Sequence, residues 1–463
     1  MEKRKKIAVA IYTATAIWCA FLLLSLRFGF LKGFFYDTMY AHVQGIDFFP
    51  VEKSFRNLLA GRSIFDTFGA PMYGPYATWF LYHPASSILL GLWFGAMAPW
   101  TAYCTWTALS LALMGVAAWV IARCGSDPVR KALVTLLMMG SFPAFIMLYV
   151  GNVQAVVVLA VALILAAVET IREEGATRRS DWMLLAGLLL SLFSKPVVLA
   201  MLPLLLMLKQ TRKAAVRAIA VYAVVSLAFL VLPFLNPDAM SWKQRADLAT
   251  HPETVRQTMN IYTNNFVVTP PMKDNSVHWL AMMGLSDYRM LHVDVYSLSA
   301  FLDMALQQHT AEAWFRAPGI LVLEMSLLVM LIDDNRKRLE AAATVLMAAT
   351  MMLFVTYGLV WEYHYTMVFP VVAVLLMRQR QTIADGIICA LGLIVWLPSL
   401  FIFVNAGDAT SQFVQTLIRV DRVVPAALIF CILVGKLAAE FAAQGVPGIL
   451  RGAFKTHAFP SED

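Results

Sequence analysis

A chain of 463 residues that is 60% hydrophobic and only 14% charged lies outside the range of soluble domains, in which about 25% of residues carry charge. Its formal net charge of +7 and mean hydropathy of +0.69 suit basic loops facing anionic lipid, and are no argument for a nucleic-acid partner. Several stretches hold the roughly 20 apolar residues that cross a bilayer core, so the chain reads as an all-α polytopic membrane protein.

The first apolar run, residues 7–28, follows the basic start "MEKRKK". It is too long for a signal peptide and no A-x-A-like site follows, so a retained helix with a cytoplasmic N-terminus is expected. Short basic connections recur at Arg123–Lys131, Arg172–Arg179, Lys209–Arg217, Arg336–Arg338 and Arg378–Arg380. If all are cytoplasmic, the spans between them come in pairs. These are 132–149 with 153–171, 183–194 with 197–208, 219–235 with 316–333, 340–358 with 363–377, and 383–403 with 422–442. With 7–28 and 101–122 the total is about twelve helices, both termini being cytoplasmic. The apolar segment 78–97 breaks this parity and is therefore expected as a juxtamembrane helix along the outer interface, where Trp79, Trp93 and Trp100 suit its depth. One integral membrane domain, 1–463, results. It has a first outer loop at 29–100, a second at 236–315 and a cytoplasmic tail at 443–463. The five cysteines have no ligand spacing and are expected as free thiols.

Polar groups then gather on the outer side. "GIDFFPVEKSFRNLLAGRSIFD" (45–66) reads as a loop carrying Asp47, then a short amphipathic helix with Phe55, Leu58 and Leu59 on one face and Gly61 as its stop. Lys53 and Arg56 share another face, and Asp47 is open to two readings, general base or structural ion pair. At "GNVQA" (151–155) a tight turn carries Asn152 and Gln154. At "LFSKPVVLAMLPLLL" (192–206) two short apolar runs meet at Lys195–Pro196; a lysine at that depth calls for an anionic partner, with snorkelling to the interface as the rival account. In "PPMKDNSVHWLAMMGL" (270–285) the triplet Asp274, Asn275, Ser276 suits a helix cap. "YGLVWEYHYTM" (357–367) places Trp361, Glu362 and His364 in an aromatic cluster, where an imidazole donates to phosphate or shuttles a proton.

In this order the pieces resemble membrane-embedded glycosyltransferases of the C superfamily (GT-C), nearest to family 87, the polyprenyl-phosphate-mannose-dependent mannosyltransferases. The resemblance rests on Asp47–Phe48, Leu58–Leu59–Ala60–Gly61, Phe65–Asp66, Tyr82–His83–Pro84, Gly151–Gln154, Lys195–Pro196, loosely on Asn275–Ser276, and on Trp361–His364. It runs from about residue 45 to 377, each motif being short. A double histidine of the family is reduced here to His364, with Tyr363 in the first place.

The resemblance implies a GT-C-like bundle in the cell membrane, active on the extracytoplasmic side. It implies inverting transfer of a sugar, mannose being the usual one, from a polyprenyl-phosphate donor to a hydroxyl of a glycolipid or glycan acceptor. It casts Asp47 as general base, with Lys195 and His364 at the donor phosphate and Arg56, Lys53 and Arg62 behind them. Asn152, Gln154, Asn275, Trp361 and Glu362 are further substrate contacts. No cofactor is expected: there is no Gly-rich phosphate loop and no acidic cluster that demands a metal. The rivals are a lipid-linked glycan transporter or flippase, in which Glu324 is the clearest acid in mid-span, and a silent member that only binds polyprenyl lipid.

Overall fold

A computed structural model describes residues 2–31, 44–59, 74, 82–235, 298, 301–302, 312–356, 360–398 and 412–444. Every regular element among them is helical. In chain order these are α1 (Glu2–Phe28), α2 (Phe49–Leu59), α3 (Pro84–Phe94), α4 (Pro99–Ala122), α5 (Pro128–Met139), α6 (Phe142–Val150), α7 (Gln154–Glu174) and α8 (Arg178–Phe193). A 3-10 turn (Val197–Met201) leads into α9 (Leu202–Met207) and α10 (Lys209–Leu235). Then come α11 (Glu312–Met330), α12 (Asn335–Thr356), a second 3-10 turn (Glu362–Met367), α13 (Val368–Met377), α14 (Ile383–Trp396) and α15 (Gln412–Gln444).

Among the described residues five helices are long and apolar enough to cross a membrane, or six if the bent pair α5–α6 counts as one. The protein is therefore a multi-pass membrane protein. Several of the other expected spans are present as shorter pieces, for reasons visible in the chain. The run 132–149 breaks at Gly140–Ser141 with a bend of 42°. There Ser141 accepts from the Ala144 amide at 3.1 Å as an N-cap, and Pro143 has no amide proton to extend the helix backwards. The runs 183–194 and 197–208 are two separate pieces that meet at Ser194–Pro196, the junction the sequence leads one to expect. Within 78–97 the described helix, α3, has 11 residues, or about 16 Å, half of a bilayer core.

The centre of the bundle is α7 and α12, whose apolar windows are 83% and 94% buried, with α4, α5, α8, α13 and α15 around them. α7 also sets the polarity of the molecule. Its last turns carry Glu169 and Arg172, which meet Arg378, Glu173 and Glu340. Arg336 approaches Glu173 at 3.9 Å, Arg130 donates to the Arg378 carbonyl at 2.7 Å, and Arg4 reaches Asp127 at 2.6 Å. Gln210 bonds Asn335 at 2.7 Å, and Arg217 bonds Asp181 at 3.0 Å. The expected basic connections thus join the N-terminus at one end of the bundle. Gln154, roughly 22 Å away at the start of α7, belongs to the other end. The five cysteines are free.

Candidate active site

The end opposite the basic cluster is organised by the C-terminus of α6. The last carbonyls of a helix have no partner within it. Here the Gly45 amide reaches Tyr149 O at 2.9 Å and the Asp47 amide reaches Val150 O at 2.9 Å. Tyr103 Oη donates to Tyr149 O at 2.8 Å and Trp106 Nε1 to Gly151 O at 2.9 Å. The turn bearing Asp47 is therefore fixed by the backbone that closes α6. Phe48 and Phe49 bury behind it among Tyr82, Phe94, Tyr103 and Trp106. Gly151 is required twice: its φ is +72°, and a Cβ there would lie 2.7 Å from that of Phe48.

The same turn brings in Asn152. Its Oδ1 accepts from the Gln154 amide at 2.9 Å, opening α7, while its Nδ2 donates to Asp47 Oδ2 at 2.7 Å. The Tyr82 hydroxyl lies 3.3 Å from that Nδ2. Asp47 also takes a hydrogen bond from Tyr363. Although its edge is partly accessible, the protein packed around it pushes the Asp47 carboxyl above its ordinary value; Asn152, then the Lys195 charge, then Tyr363 pull it back.

Lys195 projects from the break between α8 and the first 3-10 turn, where Ser191 Oγ donates to its carbonyl at 2.6 Å. Its Nζ donates to Gln154 Oε1 at 3.3 Å, lies 3.1 Å from His364 Nε2 and stands 4.9 Å from the Tyr363 ring centre. His364 Nδ1 accepts from the Trp361 amide at 2.8 Å. In the neutral ring the proton is therefore on Nε2, on the side of Lys195. Two N–H donors thus converge at one place, and the Gln154 Nε2 beside them is buried without a partner among the described residues. Beyond the Gln154 Oε1 that takes one proton of Lys195, these donors have no acceptor among the described residues, and an anionic oxygen is the acceptor that suits them.

Asp47, Asn152, Gln154, Lys195 and His364 therefore share one site. Glu362 lies apart from them, ion-paired at 3.0 Å with Arg422. Trp361 contributes its amide to His364. Lys53 is 2% exposed on α2, whereas Arg56, three residues on, is exposed and donates to Gly95 O at 3.0 Å, so the two cations do not act as a pair. Gly61, Arg62, Phe65–Asp66 and Asn275–Ser276 lie outside the described residues. His83 caps α3 by accepting from the Ala85 amide at 3.1 Å and bonds Ser226 at 3.1 Å. The sequence reading passed over Arg422 as the mere start of an apolar run; the signal was there in "IRVDRVV", three charges where a helix enters membrane. Among the described residues no group of three or more His, Cys, Asp or Glu is placed to hold a metal ion.

No curated protein and no solved structure matches this chain. A family model, that of glycosyltransferase family 87, matches residues 80–356, more than half of the sequence. The matched stretch includes Tyr82, Asn152, Gln154 and Lys195; Asp47 precedes it and His364 follows it. The chain belongs to glycosyltransferase family 87 and is a membrane enzyme of the GT-C type.

Proposed function

We propose that this glycosyltransferase moves a sugar, mannose by the motif resemblance, from a polyprenyl-phosphate donor to a hydroxyl of a glycolipid or polysaccharide acceptor. The site lies on the extracytoplasmic face of the cell membrane, opposite the basic end, as the positive-inside rule requires. Asp47 is the general base. It takes the acceptor hydroxyl proton as that oxygen bonds the anomeric carbon. The bond from that carbon to the phosphate oxygen breaks, and its electron pair leaves with the phosphate. One displacement inverts the anomeric centre. Lys195, His364 Nε2 and the free Gln154 amide receive the charge that develops on the leaving phosphate, in a site with little competing water.

The observation that carries this reading is the division of the site. A desolvated carboxylate held by Asn152 stands beside a separate group of donors, one of which, Gln154 Nε2, has no acceptor among the described residues. A lipid donor is further supported by an open apolar groove of about 740 Å³ along α11, α12 and α15, lined by Ile320, Leu321, Val355, Ala427 and Phe430 among others. No cofactor enters these steps.

The test is transfer from polyprenyl-phosphate sugars by the purified chain in liposomes, wild type against Asp47→Asn. Wild-type transfer with a product of inverted configuration, and a loss of about 10³-fold in the variant, is expected for a missing general base. Full activity of Asp47→Asn removes the base assignment. Absence of transfer from any such donor, with glycan export intact, replaces the reading by transport.

A further inference from the structure

Arg422 is fully buried on α15. Its Nε and Nη2 both lie 3.0 Å from Glu362 Oε1, its Nη2 donates to Leu397 O at 2.6 Å, and its Nη1 donates to Ile394 O at 3.4 Å. One guanidinium therefore closes the C-terminus of α14, whose carbonyls need donors, and grips the first residue of the second 3-10 turn. The two residues after Glu362 in that turn both reach the reacting groups. Tyr363 bonds Asp47 and underlies Lys195, and His364 meets Lys195. A turn of i→i+3 bonds has few internal constraints and takes its orientation from its anchors. On one side the anchor is the packing of Tyr365 on Phe354, ring centres 4.6 Å apart; on the other it is Arg422.

We propose that Arg422 is a positioning residue for the transferase: by fixing Glu362 it aims Tyr363 at Asp47 and His364 at Lys195. The proposal rests on the functional reading above for what is being aimed, but its geometry is independent of the donor. If Arg422 served only to close α14, the two carbonyls would suffice and Glu362 would need no guanidinium. Glu362 is buried, at 8% exposure, and is ion-paired there.

The experiment takes the full chain in liposomes as wild type, Arg422→Met and Arg422→Lys, with two readouts. The first is carbethoxylation of histidines by diethyl pyrocarbonate, quantified by mass spectrometry, with His83 as internal reference because it is equally buried at 5% exposure. The second is the split between kcat and KM for transfer from a polyprenyl-phosphate sugar. In Arg422→Met, His364 is expected to react at least tenfold faster while His83 changes less than twofold. There kcat falls about 100-fold with the acceptor KM moving less than threefold. Arg422→Lys recovers at least tenfold of that loss. Unchanged protection of His364, equal loosening of His83, or kcat within threefold of wild type overturns the proposal. Should wild type transfer nothing, the functional reading fails and the His364 to His83 ratio alone decides the role of Arg422. Should Arg422→Met not fold, Arg422→Lys is measured against a threefold rise at His364, whose absence overturns the proposal.

Discussion

The two ends of α7 handle charge in opposite ways. At the basic end Glu169 is bound by Arg378 at 2.6 Å and Arg172 at 2.7 Å, and Arg172 is shared with Glu173 at 2.7 Å. At the other end Asp47 and Lys195 attract one another but form no ion pair; Asn152, Gln154, Tyr363 and His364 stand between and around them. Mutual neutralisation ties helices together and leaves little for a ligand. Charges held apart by neutral hydrogen-bonding groups keep their fields available. This contrast yields experiments that read activity at one end and stability at the other.

Asp47→Asn gives the largest effect, about 10³-fold on kcat, with an unfolding temperature close to wild type because the amide still meets Asn152. Lys195→Met follows at about 10²-fold on kcat, the cost of removing one preorganised donor from developing charge. A thermal-shift assay beside each rate measurement checks the division; a large fall in stability without loss of rate in either variant breaks it. The reverse pattern is expected of Glu169→Gln. Breaking that buried pair strands the Arg378 guanidinium and costs about 3–5 kcal/mol, while activity per folded molecule stays within twofold.

What was legible in the sequence follows the same line. The lysine at the 194–196 break and the acid in the first outer loop were readable because a charge amid apolar sequence is costly wherever it lies. Membership of one site was not, since it depends on α6 carbonyls captured by Gly45 and Asp47, contacts about 100 residues apart in the chain. The roles of Tyr363 and Arg422 were hidden for another reason. Both work through long-range hydrogen bonds that no spacing encodes. The expected count of about twelve spans took 132–149 as one unbroken helix; Ser141–Pro143 shows where capping and proline chemistry bend it, whereas the division at Ser194–Pro196 was legible as the junction of two short runs.

A subtler test concerns the proton on Asp47. Its carboxyl is held above the ordinary value by desolvation, and Asn152 opposes this by donating to the ionised form. As the proposed base, Asp47 acts ionised, so kcat/KM is expected to rise with pH through the folded value, above the usual carboxylate range near 3.9. Asn152→Ala removes a stabiliser of the carboxylate and moves this acidic limb to still higher pH. A limb that stays in place or moves down would detach Asn152 from the titration.

The smallest effect tests a third kind of group, a carboxyl buried with no hydrogen bond among the described residues. Glu52, on α2 five residues beyond Asp47, is 0% exposed, and neither of its carboxyl oxygens has a hydrogen bond among the described residues. Burial raises it from 4.5 to about 8, with Arg56 opposing the rise. The sign follows from linkage. Below pH 4.5 the group is protonated in both states and costs nothing. Between 4.5 and about 8 the unfolded chain ionises while the folded chain stays protonated, so the stability this carboxyl contributes is progressively lost as pH rises. Glu52→Gln removes the titration and keeps the shape, so its unfolding temperature should exceed wild type by about 2–4 °C at pH 8.5 and match it at pH 4.5. The comparison of unfolding curves at the two pH values separates this charge from those of the site, because Glu52→Gln leaves the acidic limb set by Asp47 where it was. A difference independent of pH would mean that Glu52 does not titrate between the folded and unfolded states, and would remove it from the comparison.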